Sequence, residues 1–352
     1  MSLSLLGPVV PPLLNLGSVG IMHPVLANLS DTLNTAFRDH GGFASSMSGE
    51  DLVSITVLST DADSVYRIGS ISKLFTAYML LVNYGWEYWD KLVIDFIPEL
   101  RGHSKSMNDV IDSVDWDEVT IGSLASYLSG IGRDFSNGDL ASQDFPREEA
   151  SLPKLPLKDI PDCAGNSTLP PYNRKVRGFK IPATKHRLYS SSLDLARFGQ
   201  AVLQNRQLSP AITRRWMKPT SHTASLSLSV GSPWEIHRMR SNITNGRVIN
   251  LYTKSSSLGR YNSLLVLIPD FQITFSILTA GITSSPAIKV ATELVTSSLL
   301  PALEKISGIQ AYENLCGTYA STTKLENSSI SITADEKGLL VKSWVSRGVD
   351  IQ

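Results

Sequence analysis

The chain has 352 residues, with 32 Lys+Arg balanced by 32 Asp+Glu, 42% apolar residues and 18% charged residues. That length holds one large domain, or one domain plus a small module, and the composition is that of a packed globular protein. Zero net charge argues against a nucleic-acid or acidic-membrane partner, and two cysteines, Cys163 and Cys316, exclude a disulfide scaffold and a zinc site made of cysteines alone.

The first residues, MSLSLLGPVVPPLLNLGSVGIM, are apolar, but Pro8, Pro11 and Pro12 interrupt a helix and no Lys or Arg precedes Arg38. The expectation is an extended segment packed on the domain, no cleaved signal, and a cytoplasmic location for this form. No run of about 18 apolar residues occurs, so no transmembrane helix is expected. Sequons at Asn28, Asn166, Asn242 and Asn327 decide nothing about secretion in a chain this rich in Ser and Thr.

Residues 23–39 place Val25, Leu26, Leu29, Leu33 and Phe37 on one helical face, and Gly41-Gly42 ends that pattern. Leu52–Thr60 is rich in β-branched residues and reads as a strand. An apolar helix from about Ser70 to Asn83 stops at Gly85; its apolar residues go nearly all round, which predicts a buried helix. The stretch 136–186 holds seven prolines and reads as loop. Leu193–Leu203 reads as a helix capped by one of Ser190–Ser192. Strands follow at about Val248–Lys254, Tyr261–Ile268 and Gln272–Thr279, with Pro269-Asp270 turning the last two, and then a helix over Ala287–Leu303. From about Gly308 short strands and polar turns suggest a partial β module, giving a division into 1–307 and 308–352.

No phosphate-binding glycine loop, H-E-x-x-H pair or G-x-S-x-G elbow is present, and His23, His40, His103, His186, His222 and His237 lack ligand spacing. No cofactor and no metal are expected. Ser-x-x-Lys pairs do occur, at Ser70–Lys73, Ser151–Lys154 and Ser321–Lys324. Residues three apart share a helix face, so a neutral Lys can take the hydroxyl proton of a Ser one turn before it. Pro153 and Pro156 spoil the second copy, and the third lies in a polar stretch without helical pattern. Only Ser70 follows a glycine, Gly69, and opens an apolar helix. The bland alternative is an N-cap serine beside a surface lysine. Lys254, with Ser255, Ser256 and Ser257, ends a strand and can offer a cation, hydroxyls and a backbone N–H to a substrate carboxylate or oxyanion; its bland alternative is a solvated strand end.

Ser64–Leu74 (SVYRIGSISKL) resembles the active-site segment of the serine β-lactamase-related family, which includes class C β-lactamases, D-alanyl-D-alanine peptidases, family VIII esterases and fungal transesterases. Val119–Arg133 resembles the segment Thr-Ile-x-x-Leu-Leu-x-His-x-Ser-Gly with Tyr127 in the His position. Leu188–Leu203 and Tyr252–Thr279 resemble the later helix segment and the Lys-Thr-Gly strand with its closing hairpin. The flavour is that of β-lactamase-like proteins of filamentous fungi, including those of natural-product clusters.

The resemblance implies an α/β (α+β) fold, an antiparallel sheet flanked by helices with a reduced helical subdomain. It makes Ser70 the nucleophile, Lys73 its base, and Lys254, Ser255 and Ser256 the Lys-Thr-Gly counterparts. Ser70 and Ser257 would donate backbone N–H groups to the oxyanion. A family Tyr-x-Asn motif has no counterpart between Leu128 and Leu188: Tyr172-Asn173 lacks the spacing, and Tyr189-Ser190-Ser191 stands as the candidate although its place belongs to another segment. The stretch from Ser59 to Ser64 is also short for an expected strand, and the chain stops inside the last module, so a shortened member with an incomplete site is expected. The implied function is a serine acyl-enzyme hydrolase or transesterase for an ester, thioester or amide of a small molecule, with a natural-product pathway as one setting. The competing expectation is a catalytically impaired relative acting as a binding or scaffold protein. The expected partner is a small-molecule acyl substrate, with no nucleic acid and no membrane; oligomeric state is open.

Overall fold

A computed structural model describes residues 13, 15–16, 20–37, 43–49, 52–58, 62–101, 114–131, 175–176, 179–180, 188–240, 247–258, 260–281, 283–323, 326–335 and 338–351. The proline-rich stretch 136–186 lies outside these, apart from the short pair Lys175–Val176 (β4) and Phe179–Lys180 (β5). So do Tyr172, Cys163 and the Ser151–Lys154 pair.

The centre is an eight-stranded antiparallel sheet in the order β2-β1-β12-β11-β10-β9-β8-β7. Its strands are Phe43–Gly49 (β1), Leu52–Leu58 (β2), Ser221–His222 (β7), Leu228–Val230 (β8), Glu235–Arg240 (β9), Val248–Leu258 (β10), Tyr261–Ile268 (β11) and Ile273–Ala280 (β12). β11 and β12 are nearly continuous apolar runs because both faces of the sheet are covered. Leu264, Val266 and Ile268 face a core shared with α1 (Met22–Ala36) and α6 (Ser284–Leu315). Leu265 and Leu267 face a second core with α2 (Ser72–Tyr84), α4 (Ser192–Leu203) and α5 (Pro210–Trp216). Leu13 and Leu16 of the N-terminal segment are buried in the first core. Truncating a side chain as enclosed as Leu265 is worth about 2–5 kcal/mol of stability.

Several expectations are corrected here. β1 was not anticipated: its sequence, FASSMSG, has too many serines to stand out, yet its backbone pairs with both β2 and β12. The additional strand therefore precedes Leu52. The turn expected at Pro269-Asp270 is present, as a short 3-10 segment, Pro269–Phe271, closed by Gln272 in a left-handed conformation. α6 continues past Pro301 to Leu315, so residues 308–315 are helical. A separate four-stranded sheet follows, Gly317–Ala320 (β13), Ser329–Asp335 (β14), Gly338–Ser346 (β15) and Val349–Asp350 (β16), in that order.

The seating of α4 fixes the neighbourhood of the candidate site. Ser191 caps it by accepting the Asp194 N–H at 3.1 Å. The Ser276 hydroxyl of β12 donates to the Ser192 carbonyl at 2.7 Å. Gly199 lets the helix lie close on the sheet; a Cβ there would stand 2.2 Å from Thr274 Oγ1. The residues just before α4 are thereby aligned as strand Tyr189–Ser190 (β6), paired with Tyr66–Arg67 (β3) immediately ahead of Ser70.

Candidate active site

Ser70 lies in a 3-10 turn, Gly69–Ile71, that runs directly into the regular helix α2, which starts at Ser72. Three tethers hold that turn. Ser256 of β10 accepts the Ser70 N–H at 2.8 Å, Ser263 of β11 donates its hydroxyl to the Ile68 carbonyl at 3.1 Å, and the Ile68 N–H donates to the Leu188 carbonyl at 3.1 Å. Gly69 is required twice over: its φ is +43°, and a Cβ would stand 2.1 Å from Ser256 Oγ. One turn on, Lys73 Nζ donates to Ser70 Oγ at 3.0 Å. With the lysine neutral, the same contact runs the other way and lets the amine withdraw the hydroxyl proton.

α2 is amphipathic, correcting the expectation of a helix buried all round. Leu74, Ala77, Tyr78 and Leu81 are enclosed, while Lys73, Met79, Val82 and Tyr84 are exposed. Lys73 therefore sits at the solvent margin of the site.

On β10, side-chain alternation puts Lys254 and Ser256 on one face and Ser255 and Ser257 on the other. Lys254 is 3% exposed. Its ammonium is paired with Glu235 Oε1 and also donates to the Ser255 carbonyl at 3.2 Å. The other carboxylate oxygen of Glu235 accepts the Ser255 N–H at 2.9 Å and the Ser255 hydroxyl at 2.7 Å. Glu235 opens β9 directly opposite Thr253, whose hydroxyl donates to the Glu235 carbonyl at 2.8 Å. Ser257 is exposed, opposite Asn262.

Two tyrosines border the site. Tyr189, 53% exposed, pairs with Arg67 across the β3–β6 ladder, and its hydroxyl accepts Arg67 Nε–H at 3.2 Å. Arg67 lies between the Tyr189 and Tyr261 rings, 5.9 and 5.7 Å from their centroids. Tyr127, at a positive φ of 65°, donates its hydroxyl to the Pro233 carbonyl at 3.0 Å and presents its ring to Lys254 Nζ at 5.7 Å. Burial first, and the Glu235 charge second, push the Tyr127 phenol well above its ordinary range, so it stays protonated.

The structure thus brings Ser70, Lys73 and Ser256 into direct contact and groups Lys254 with Ser255. Glu235 and Arg67 went unremarked in the sequence. Glu235 gave no signal because it begins a strand whose pairing with β10 is invisible along the chain. Among the described residues no cluster of His, Cys, Asp and Glu could hold a metal ion, and no helix is long and apolar enough to cross a membrane.

The chain is similar in sequence and in fold to known proteins. A family model described as "Beta-lactamase" matches residues 34–154, and one described as "Beta-lactamase-like-like, C-terminal domain" matches residues 308–352. Over those residues the chain is similar to the β-lactamase-like family. A "Beta-lactamase-like protein" of Arthroderma benhamiae is 24% identical over 378 residues, covering 83% of this chain and 60% of the relative. A "Probable hydrolase" of Phoma sp. is 22% identical over 379 residues, covering 82% and 61%. The chain thus spans about three-fifths of the length of the curated relatives it matches. A β-lactamase from Sulfitobacter sp. superposes with a TM-score of 0.53 at 15% identity, over 81% of this chain and 99% of that one. The octameric penicillin-binding protein homologue from Pyrococcus abyssi gives 0.52 at 17% identity, over 92% and 89%. The fold is therefore β-lactamase/transpeptidase-like, with antiparallel sheets and helices combined.

Proposed function

We propose that this chain is a serine acyl hydrolase that acts on an ester or thioester of a small molecule through an acyl-enzyme. The observation that carries this reading is the 3.0 Å contact from Lys73 Nζ to Ser70 Oγ, in a turn tethered to β10. Ser70 Oγ attacks the carbonyl carbon while its proton passes to neutral Lys73. The tetrahedral oxyanion then collapses, the carbon–oxygen or carbon–sulfur bond to the leaving group breaks, and the leaving group departs with the proton. Water resolves the acyl-enzyme in a hydrolase, and an alcohol does so in a transesterase. The names of the fungal relatives support the hydrolytic outcome, and a natural-product pathway suits a small acyl substrate. Hydrolysis of p-nitrophenyl butyrate tests the reading: Lys73→Met should lower it by about 10²–10⁴, the usual worth of positioned base catalysis. Equal rates in the two proteins would contradict it.

One observation favours a second reading, a weakly catalytic relative that mainly binds its ligand. The Ser256 hydroxyl already takes the Ser70 N–H, the donor an oxyanion would need. Turnover of unactivated amides and of β-lactams is accordingly expected to be negligible.

A further inference from the structure

We propose that Glu235 is a specificity-determining residue that makes this site select acyl groups without a carboxylate. The inference deepens the acyl-hydrolase reading above and rests on it for the substrate's place beside Ser70.

Lys254 and the Ser255 donors are the groups on β10 able to receive a substrate carboxylate. In this chain they already hold one. Glu235 spreads its two oxygens over Lys254 Nζ, the Ser255 N–H and the Ser255 hydroxyl. Three donors from two adjacent residues leave little of this corner for a visiting anion. The charges of the pair cancel, and the cation lies almost wholly out of water.

A substrate carboxylate would have to displace Glu235 from all three donors, or share one ammonium with it at close range. Either course opposes binding, since juxtaposed like charges discriminate strongly against a ligand. Glu235 is also firmly held. Its carbonyl accepts the Thr253 hydroxyl at 2.8 Å, and its neighbour Trp234 is fully buried, 5.0 Å from the Trp216 ring and 6.0 Å from the Tyr252 ring. The chain thus carries its own counter-ion at the position where it could otherwise recognise an acidic acyl group. A neutral acyl chain meets no such opposition.

The test compares two activated esters of similar length, p-nitrophenyl butyrate and the p-nitrophenyl monoester of glutaric acid, on the full chain and on Glu235→Gln and Glu235→Asp. The wild type should prefer the neutral ester by kcat/KM. Glu235→Gln keeps hydrogen-bonding capacity but unmasks the Lys254 charge, and should shift the ratio toward the anionic ester by tenfold or more, on the order expected for one close charge pair. Glu235→Asp retains the charge and should retain the neutral preference. A ratio unchanged in Glu235→Gln overturns the proposal. Failure of the wild type to hydrolyse either ester counts against the Ser70 reading instead. Glu235 is then judged by calorimetric titration with glutarate: binding by Glu235→Gln that exceeds wild type supports the proposal, and indistinguishable titrations of the two proteins overturn it.

Discussion

The Ser256 hydroxyl accepts the backbone N–H of Ser70 at 2.8 Å, where the resemblance to the Lys-Thr-Gly strand sets a glycine. If Ser70 is the nucleophile, that N–H must point at the oxygen that becomes negatively charged in the transition state. The hydroxyl has to turn away before the donor can serve. Ser256→Gly removes the competitor, and the rate of acylation by p-nitrophenyl butyrate should rise, by up to about 10²-fold, near the low end of what one oxyanion donor contributes. A pre-steady-state burst measured in both proteins checks this. A variant that acylates no faster would mean the hydroxyl does not compete with substrate.

Gly69 and Ser256 should behave as a coupled pair. In Gly69→Ala the new Cβ would lie 2.1 Å from Ser256 Oγ, on a backbone with φ of +43°. The single change should destabilise the protein by more than the roughly 1–2 kcal/mol of a left-handed alanine. Ser256→Gly in the same chain relieves the clash, leaving Leu258 Cβ at an ordinary 3.7 Å, and should recover part of the loss. Chemical denaturation of the four proteins gives the coupling, expected to exceed about 0.5 kcal/mol for residues in contact. Simple additivity would show that the turn adjusts without Ser256.

Tyr189 is predicted to matter only when the leaving group needs a proton. Its hydroxyl is tied to Arg67, three residues before Ser70. Tyr189→Phe should leave p-nitrophenyl butyrate hydrolysis within about threefold, because a nitrophenolate departs unprotonated. The rate on an aliphatic ester should fall by about tenfold or more, short of the 10²–10⁴ of a fully positioned acid. Equal losses on both substrates would mark Tyr189 as structural.

Local pattern carried much of this molecule into view, and pairing carried the rest. Tyr261–Ile268 and Ala287–Leu303 announce themselves by apolar runs that two covered sheet faces and a long helix require. Phe43–Gly49 does not, since four of its seven positions are Ser or Gly and its strand character is imposed by β2 and β12. Ser70 and Lys73 are three apart on one chain segment, so their meeting is written in the spacing. Glu235 reaches Ser255 only through the β9–β10 register, a relation across 20 positions that no local motif encodes. Tyr189 belongs to a different segment in chain order, and only the β3–β6 ladder sets it beside the residues leading to Ser70.

The central claim, that Ser70 is the nucleophile, is tested most directly by intact-mass analysis and peptide mapping after exposure to a fluorophosphonate probe. A single adduct is expected on the peptide containing Ser70, lost in Ser70→Ala and formed faster in Ser256→Gly. An adduct that persists unchanged in Ser70→Ala, or one mapped to another serine, would contradict it.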